Sequence, residues 1–323
     1  MQKYNKYLSI RILIVFWYII ILLFQISFHT SPSIAKENTV IIIQSQQIVA
    51  YNEAVKGFQE GCKGKNISIR ATYNLNGDAE EGKRIIQNIK GKKSKPDLIL
   101  AVGILAATIV KDQFTNIPII FCMVINHERF NLQGVNVTGI SSEASVEDQF
   151  AVLKEFFGAH KNIGVIYDPT KTGKIISEAT HIAKKFEFNL ITKEVDSENK
   201  ATSVLNTIIR KIDILWIIPD GTVITKNSLD TILKGTLKYN LPTFCTSSAI
   251  VKAGALISVS TDYTHTGIQA SEIAQTLLNS PQTTSLGVQQ PEKLTLTLNT
   301  QTADMLGINL SSIQSRSDVV LYP

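Results

Sequence analysis

In the stretch "IGVIYDPTKTGK", Ile163 to Lys174, an aspartate stands close to a Lys-Thr-Gly run formed by Lys171, Thr172 and Gly173. Enzymes that phosphorylate an aspartate carry such a loop, but there the aspartate directly precedes the lysine. Here Pro169 and Thr170 intervene, and proline both fixes its own φ and pushes Asp168 toward an extended backbone. The stretch therefore predicts a strand ending at Asp168 and a helix starting near Thr172. Thr170 and Thr172 are cap candidates, with free N–H groups behind them. Such a turn offers an anion and several donors to a ligand rather than a nucleophile to a substrate.

Other chemistry is sparse. The chain lacks G-x-x-x-x-G-K-[ST], H-E-x-x-H, G-x-S-x-G and a G-x-G-x-x-G after a strand. Its histidines, His29, His127, His160, His181 and His265, make no metal pair, and no cofactor motif is present. Cys62, Cys122 and Cys245 are widely separated, with no zinc spacing. Cys122 and Cys245 lie in apolar runs as small buried residues would, while one disulfide in an oxidising compartment stays open. Asp220 and Asp262 could form a general acid–base pair; a role as acceptors for a cationic ligand group is the favoured alternative. On that basis Asp220→Ala is expected to weaken ligand binding, read by calorimetry, and to leave the fold intact.

The elements that would position these residues alternate. Short apolar runs at 39–46, 66–75, 97–103, 118–124 and 137–141 are separated by amphipathic segments, and the rhythm restarts at 162–168, 189–195, 213–220, 242–247 and 255–263. Apolar runs without alternation suit parallel strands covered on both faces. The halves also match in detail. "KPDLILAVG" leading to "NIPIIFCMV" is echoed by "KIDILWIIPD" leading to "NLPTFCTSS", each with an aspartate opening a strand and an Asn-(Ile/Leu)-Pro turn before the next. Two related α/β lobes follow, with Pro118 and Pro242 at strand starts where a missing N–H costs least.

The first residues stand apart. Lys3, Lys6 and Arg11 precede the apolar run "ILIVFWYIIILLF", followed by Ser33-Ile34-Ala35, which is the pattern of a secretory signal peptide ending at about residue 35. A retained membrane anchor is the competing reading, although the run is short for a span. The absence of a cysteine after the run disfavours a lipid anchor. Of the net charge of +5, three positive charges belong to this segment, leaving about +2. Nucleic-acid binding then lacks its electrostatic drive, and the lysines of 90–96 read as a solvated loop.

Open parallel sheets bind ligands beyond the carboxyl ends of their strands. The polar residues at those ends are Gln44 and Ser45, Gly103, Asn126, Asp168 with Thr170, Asp220, and Asp262 with Tyr263. They are the candidate ligand-binding set, with Gly103 allowing close backbone approach.

The runs "PDLILAVG" and "IPIIFCMV", then "NVTGIS", "NIGVIYDPTKTG", "DILWIIPD", "VKAGALISVSTDYTHTGIQASEIA" and "LTLNTQTADMLGINL" resemble, in order, the ABC transporter substrate-binding proteins that include tryptophan and tyrosine binders. The resemblance implies a type I periplasmic-binding-protein fold, with two doubly wound parallel-sheet lobes joined by crossover strands. It puts 36–141 with part of 263–290 in the first lobe, and 142–262 with part of 291–323 in the second. It further implies a periplasmic, monomeric protein that delivers a small molecule, such as an amino acid or related compound, to an inner-membrane ABC permease with its ATPase. A ligand sensor coupled to a membrane signalling partner is the alternative, and a secreted α/β enzyme a more distant one. In amino-acid-binding members the turn matching Tyr167 to Gly173 is rich in serine, so its Asp-Pro-Thr-Lys-Thr-Gly form here points to a different ligand.

Overall fold

The computed structural model describes residues 37–280, 284–311, 313 and 316–323, together with position 17. Apart from position 17, the proposed signal peptide lies outside the described residues. Among the described residues no helix is long and apolar enough to cross a membrane.

The first strand, β1 (Asn38–Gln44), shows how the sheets arise. Val40, Ile41, Ile42 and Ile43 are all fully buried. Their alternate side chains go to opposite faces, Val40 and Ile42 into one core and Ile41 and Ile43 into another. A strand sealed on both sides cannot show polar alternation, which is why its sequence reads as an unbroken apolar run. β2 (Ile67–Asn74), β3 (Leu98–Val102), β4 (Ile119–Val124) and β5 (Val137–Ser141) join it in parallel. The late strand β11 (Val288–Gln289) completes this sheet, in the order β11-β5-β4-β3-β1-β2.

The second sheet has β6 (Asn162–Tyr167), β7 (Asn189–Glu194), β8 (Ile214–Ile217), β9 (Thr243–Cys245), β10 (Ile257–Thr261), β12 (Leu294–Asn299) and β13 (Val319–Tyr322) in the order β13-β12-β10-β9-β8-β6-β7. Only the β10–β12 pairing is antiparallel. The chain therefore passes between sheets at 142–145, at Asp262 and at 290–293. The three cysteines are free and buried, and burial pushes the Cys122 and Cys245 thiols up to about 12.

The echo between the halves has a physical basis. Asp97, before β3, accepts from the Thr39 N–H at 2.8 Å at the start of β1, and Asp213, before β8, accepts from the Asn162 N–H at 2.7 Å at the start of β6. Likewise the Ile99 and Leu215 N–H groups donate to the carbonyls of Pro118 and Pro242 at 2.9 and 3.0 Å. In both lobes the aspartate sets the register of a central strand pair, and the proline serves as an acceptor where it cannot donate.

Helices cover both faces: α1 (Val49–Gly61), α2 (Ala79–Gly91), α3 (Ile104–Gln113), α4 (Val146–Phe157), α5 (Pro169–Lys185), α6 (Glu198–Ile208), α7 (Lys226–Lys238), α8 (Ser248–Lys252), α9 (Tyr263–Asn279) and α10 (Thr300–Met305). Side chains of Asp78, Ser145, Asp168, Thr225, Asp262 and Asn299 cap α2, α4, α5, α7, α9 and α10. Helix α9 leaves the second sheet yet packs on α1, which covers the first. Glycines make this close approach possible. A Cβ on Gly57 would lie 1.9 Å from the Thr264 carbonyl oxygen, and one on Gly267 would lie 2.0 Å from that of Ala54.

Alanine at Gly57 or Gly267 would gain about 1 kcal/mol of helix propensity but would force two backbones apart. Each substitution is expected to cost a net 1–3 kcal/mol or so, seen as a lower urea midpoint at unchanged m-value. A neutral or stabilising Gly267→Ala would contradict the packing.

Candidate functional site

Beyond the carboxyl ends of β4, β5, β8 and β9 lies a cavity of about 160 Å³. One water needs about 10–15 Å³ on this measure, so a small organic molecule fits. The first sheet contributes Asn126, His127, Glu128 and Ser141; the crossings add Glu143, Ala144, Ser145 and Gln290; the second lobe supplies Val146, Gln149, Lys174, Ile175, Glu178, Trp216, Ile218, Pro219 and Thr246.

The upper wall depends on a distorted strand end. The β4–β5 register shifts between Phe121 and Val124, and buried Met123 takes φ +59°, in the left-handed region that a non-glycine residue rarely adopts. The kink turns the chain so that Asn126, itself left-handed at φ +51°, leads into a 3-10 turn, His127–Phe130, over the cavity. Phe121 lies between this turn and β5. Its ring centroid is 6.0 Å from that of His127, and a Cβ on Gly139 would come within 2.1 Å of its Cζ. The glycine of "VTGIS" thus admits the ring that backs His127. Burial holds the His127 imidazole below its ordinary pKa against the opposing pull of Glu128, and its buried Nδ1 has no hydrogen-bond partner among the described residues.

The floor is rigid and mostly apolar. The Trp216 indole N–H donates to Gln149 Oε1 at 2.9 Å, and Gln149 Nε2 donates to the Ala144 carbonyl at 2.9 Å. The Trp216 ring meets Phe150 edge-on at 5.2 Å. Glu143, on the first crossing, accepts from the Asn126 N–H at 2.9 Å. Burial raises its pKa, the Asn126 N–H opposes the rise, and Glu128 adds to it. Across the mouth, Asn126 Nδ2 donates to the Lys171 carbonyl at 3.1 Å and Lys174 pairs with Glu128 at 3.2 Å, joining the two lobes.

Of the residues singled out from sequence, Asn126 lines this cavity; the others are engaged elsewhere. Gln44 donates to Asn52 Oδ1 at 2.7 Å, and Ser45 Oγ accepts from the Ala106 N–H at 3.0 Å near the start of α3. Gly103 does permit a close approach, but to Tyr51 rather than to a ligand, since a Cβ there would lie 2.6 Å from that ring. Asp168 and Asp220 are brought together as a structural clasp. Asp220, 1% exposed, accepts from the Asp168 N–H, the Thr172 hydroxyl and the Thr222 and Val223 N–H groups at 2.6–3.2 Å. Asp168 accepts from the Thr170 N–H and hydroxyl and from the Thr222 hydroxyl, and these bonds hold its carboxyl below the ordinary range. With their lone pairs directed to protein donors, the Asp168–Thr170 turn and Asp220 belong to the frame. The Asp-Pro-Thr-Lys-Thr-Gly form of this turn thus has a structural role in the clasp.

Asp262 and Tyr263 mark a crossing. Asp262 caps α9 through the His265 N–H and pairs with Lys293 at 3.0 Å on the third crossing. Burial works against its ionisation, but His265 N–H and Lys293 prevail and its pKa is lowered. Burial raises the Tyr263 hydroxyl, which bonds the Ser248 side chain. Gln269 holds the same crossing, donating to the Gln290 carbonyl at 2.9 Å and accepting from the Glu292 N–H at 3.2 Å. Sequence reasoning missed His127, Glu143 and Trp216. The first two sit on connections flanking strands already recognised, and the polar residues directly after "NVTGIS" were the available signal; Trp216 was hidden inside a core strand.

Two mostly parallel sheets, three crossings and a cavity between them define the type I periplasmic-binding-protein fold. The family model described as ABC transporter substrate binding protein matches residues 39–317, and the chain belongs to that family. A tyrosine-binding protein of Clostridioides difficile (strain R20291) is 24% identical over 282 residues, which is 84% of this chain and 81% of that one. Among solved structures, the ligand-free, open form of a substrate binding protein with adhesive properties from Clostridium difficile superposes with a TM-score of 0.75 at 23% identity, covering 88% of this chain and 99% of that one. An ABC domain from Streptococcus pneumonia in complex with L-Trp gives 0.60 at 21% identity, covering 87% and 100%.

Two outcomes follow from this geometry. Asp220→Ala would orphan three backbone N–H groups and a hydroxyl at about 1–3 kcal/mol each, so a stability loss on the order of 3 kcal/mol or more is expected in urea denaturation, in place of the purely binding defect expected from sequence. Glu143→Gln should act oppositely in the unliganded protein. A carboxyl with a raised folded pKa costs stability above its unfolded pKa, and that cost fades as pH falls through the folded value. The variant should therefore melt higher at neutral pH, with the gain shrinking on acidification, while Asn126, His127, Glu128, Lys174 and Glu178 remain as the surrounding polar and charged groups.

Proposed function

We propose that this protein is the extracytoplasmic receptor of an ABC importer, capturing a small amphipathic molecule of the amino-acid class between its lobes and presenting it to an inner-membrane permease with its ATPase. Residues 36–141 with part of 263–290 would move as one lobe against 142–262 with part of 291–323, and the protein would act as a monomer in the periplasm after loss of residues 1–35. The observation that carries this reading is the cavity at the carboxyl ends of both sheets, walled by both lobes and backed by the chain crossings. Its mixed lining, polar at Asn126, His127 and Glu143 and apolar at Trp216 and Ile218, suits a molecule with a charged head and an apolar body. The tyrosine and tryptophan associated with two relatives are of that kind.

Contacts across the mouth give closure a structural basis. A ligand touching both lobes favours the closed form only through its greater affinity for that form, and the Asn126–Lys171 and Glu128–Lys174 contacts are the protein's own share. The ion pair is exposed, so its share is small, about 0.2–1 kcal/mol.

Native mass spectrometry of the protein as purified is expected to find a retained small molecule. Its addition to the emptied protein should reduce the radius of gyration in small-angle scattering; a chain that neither retains nor closes on any small molecule would refute the reading. Lys174→Ala is expected to weaken affinity by less than about fivefold, with the difference vanishing in high salt.

A further inference from the structure

The walls of the cavity are unbalanced in charge. Glu143 lies inside, while Glu128 and Glu178 stand at the mouth against a single ammonium, Lys174, and no arginine is among the lining residues. Lys174 is already paired with Glu128. Among the described residues Glu143 has no ion pair, and the one hydrogen bond its carboxylate accepts, from the Asn126 N–H, uses Oε2. A half-buried carboxylate with one neutral donor and no cation is costly unless something else supplies the charge. His127, on the turn that follows Asn126, also lines the cavity, and its Nδ1, sealed from solvent behind that wall, has no partner among the described residues. Neither group serves the fold in the manner of Asp168 and Asp220, whose acceptors are occupied by protein donors.

We propose that Glu143 is the seat of a ligand ammonium group, so that this protein selects its ligands by a positive charge set beside the apolar floor of Trp216 and Ile218. The assignment rests on the solute-binding reading and specifies its ligand class as organic amines, with or without a carboxylate. The ammonium completes the ion pair that the protein leaves open, the Asn126 N–H keeps its bond to the same carboxylate, and the organic body occupies the rest of the cavity. Because the Asn126 N–H fixes Glu143 on the first crossing, binding there also engages the connection between the lobes.

The test compares three molecules with the same phenol ring: tyramine, which has only the amine; L-tyrosine, which has amine and carboxylate; and 3-(4-hydroxyphenyl)propionate, which has only the carboxylate. Thermal shift and calorimetry are run on the purified full-length product and on Glu143→Gln, whose amide oxygen can still accept from Asn126. Tyramine and L-tyrosine are expected to raise the melting temperature, and the propionate is not. Glu143→Gln should weaken amine binding by at least about thirtyfold, as for loss of a buried charge partner, without lowering unliganded stability. Propionate binding as tight as tyramine, amine binding unchanged in Glu143→Gln, or no response to either amine would each overturn the assignment. A retained ligand lacking an amine would overturn it too while supporting the solute-binding reading, so the two stand or fall separately.

Discussion

The seating of α9 on α1 is the contact on which the rest of this structure depends. The chain that leaves β10 belongs to the second sheet, yet Gly57 and Gly267 let its next helix approach α1 until backbone meets backbone. Once α9 is anchored there, the following segment lies beside β5 and adds β11 to the first sheet, and the chain must return to form β12. Two of the three crossings follow from that one packing event. The Asp262–Lys293 pair and the Gln269 contacts then hold these crossings side by side.

Two kinds of buried carboxylate divide the labour around the cavity. Asp168 and Asp220 have their oxygens occupied by N–H and hydroxyl donors from neighbouring turns, an arrangement that stiffens the ends of β6 and β8 and aims α5 at the cavity. Glu143 is burdened by burial and underused by the protein. In sequence all three are acidic residues near the ends of strands, and nothing in residue type separates them. The difference lies in how many donors the folded chain brings to each, and each unmet acceptor in a buried place is a standing preference for a partner.

Strain is placed where the cavity needs shape. Met123 and Asn126 both sit in the left-handed region, and the Phe121 ring, lodged over Gly139, supports the turn they create. The opposite wall is built without strain, from the Trp216–Gln149–Ala144 chain of hydrogen bonds. A shaped turn facing a stiff floor suits a surface that must meet the same small molecule on each closure, since groups already in position lose little freedom when the ligand arrives.

Strands, helices and the two-lobe plan were legible in the residues because they depend on local and periodic facts: apolar runs sealed on two faces, capping side chains, and the repeated Asp-strand-Asn-x-Pro unit whose aspartates and prolines perform the same bonds in each half. The carboxyl ends of the strands were legible too, as polar residues after apolar runs. Which of them face a ligand was not. Gln44, Ser45, Gly103, Asp168 and Asp220 satisfy the pattern as well as Asn126 does, but their partners, Asn52, Ala106, Tyr51 and Thr222 among them, come from elements brought together by the fold. Residue pattern alone was enough to give the architecture and the ends at which binding could occur. That the cavity lies at β4, β5 and the crossings emerges in the folded chain, because a hydrogen bond between distant residues, unlike a periodicity, leaves no mark on either residue alone.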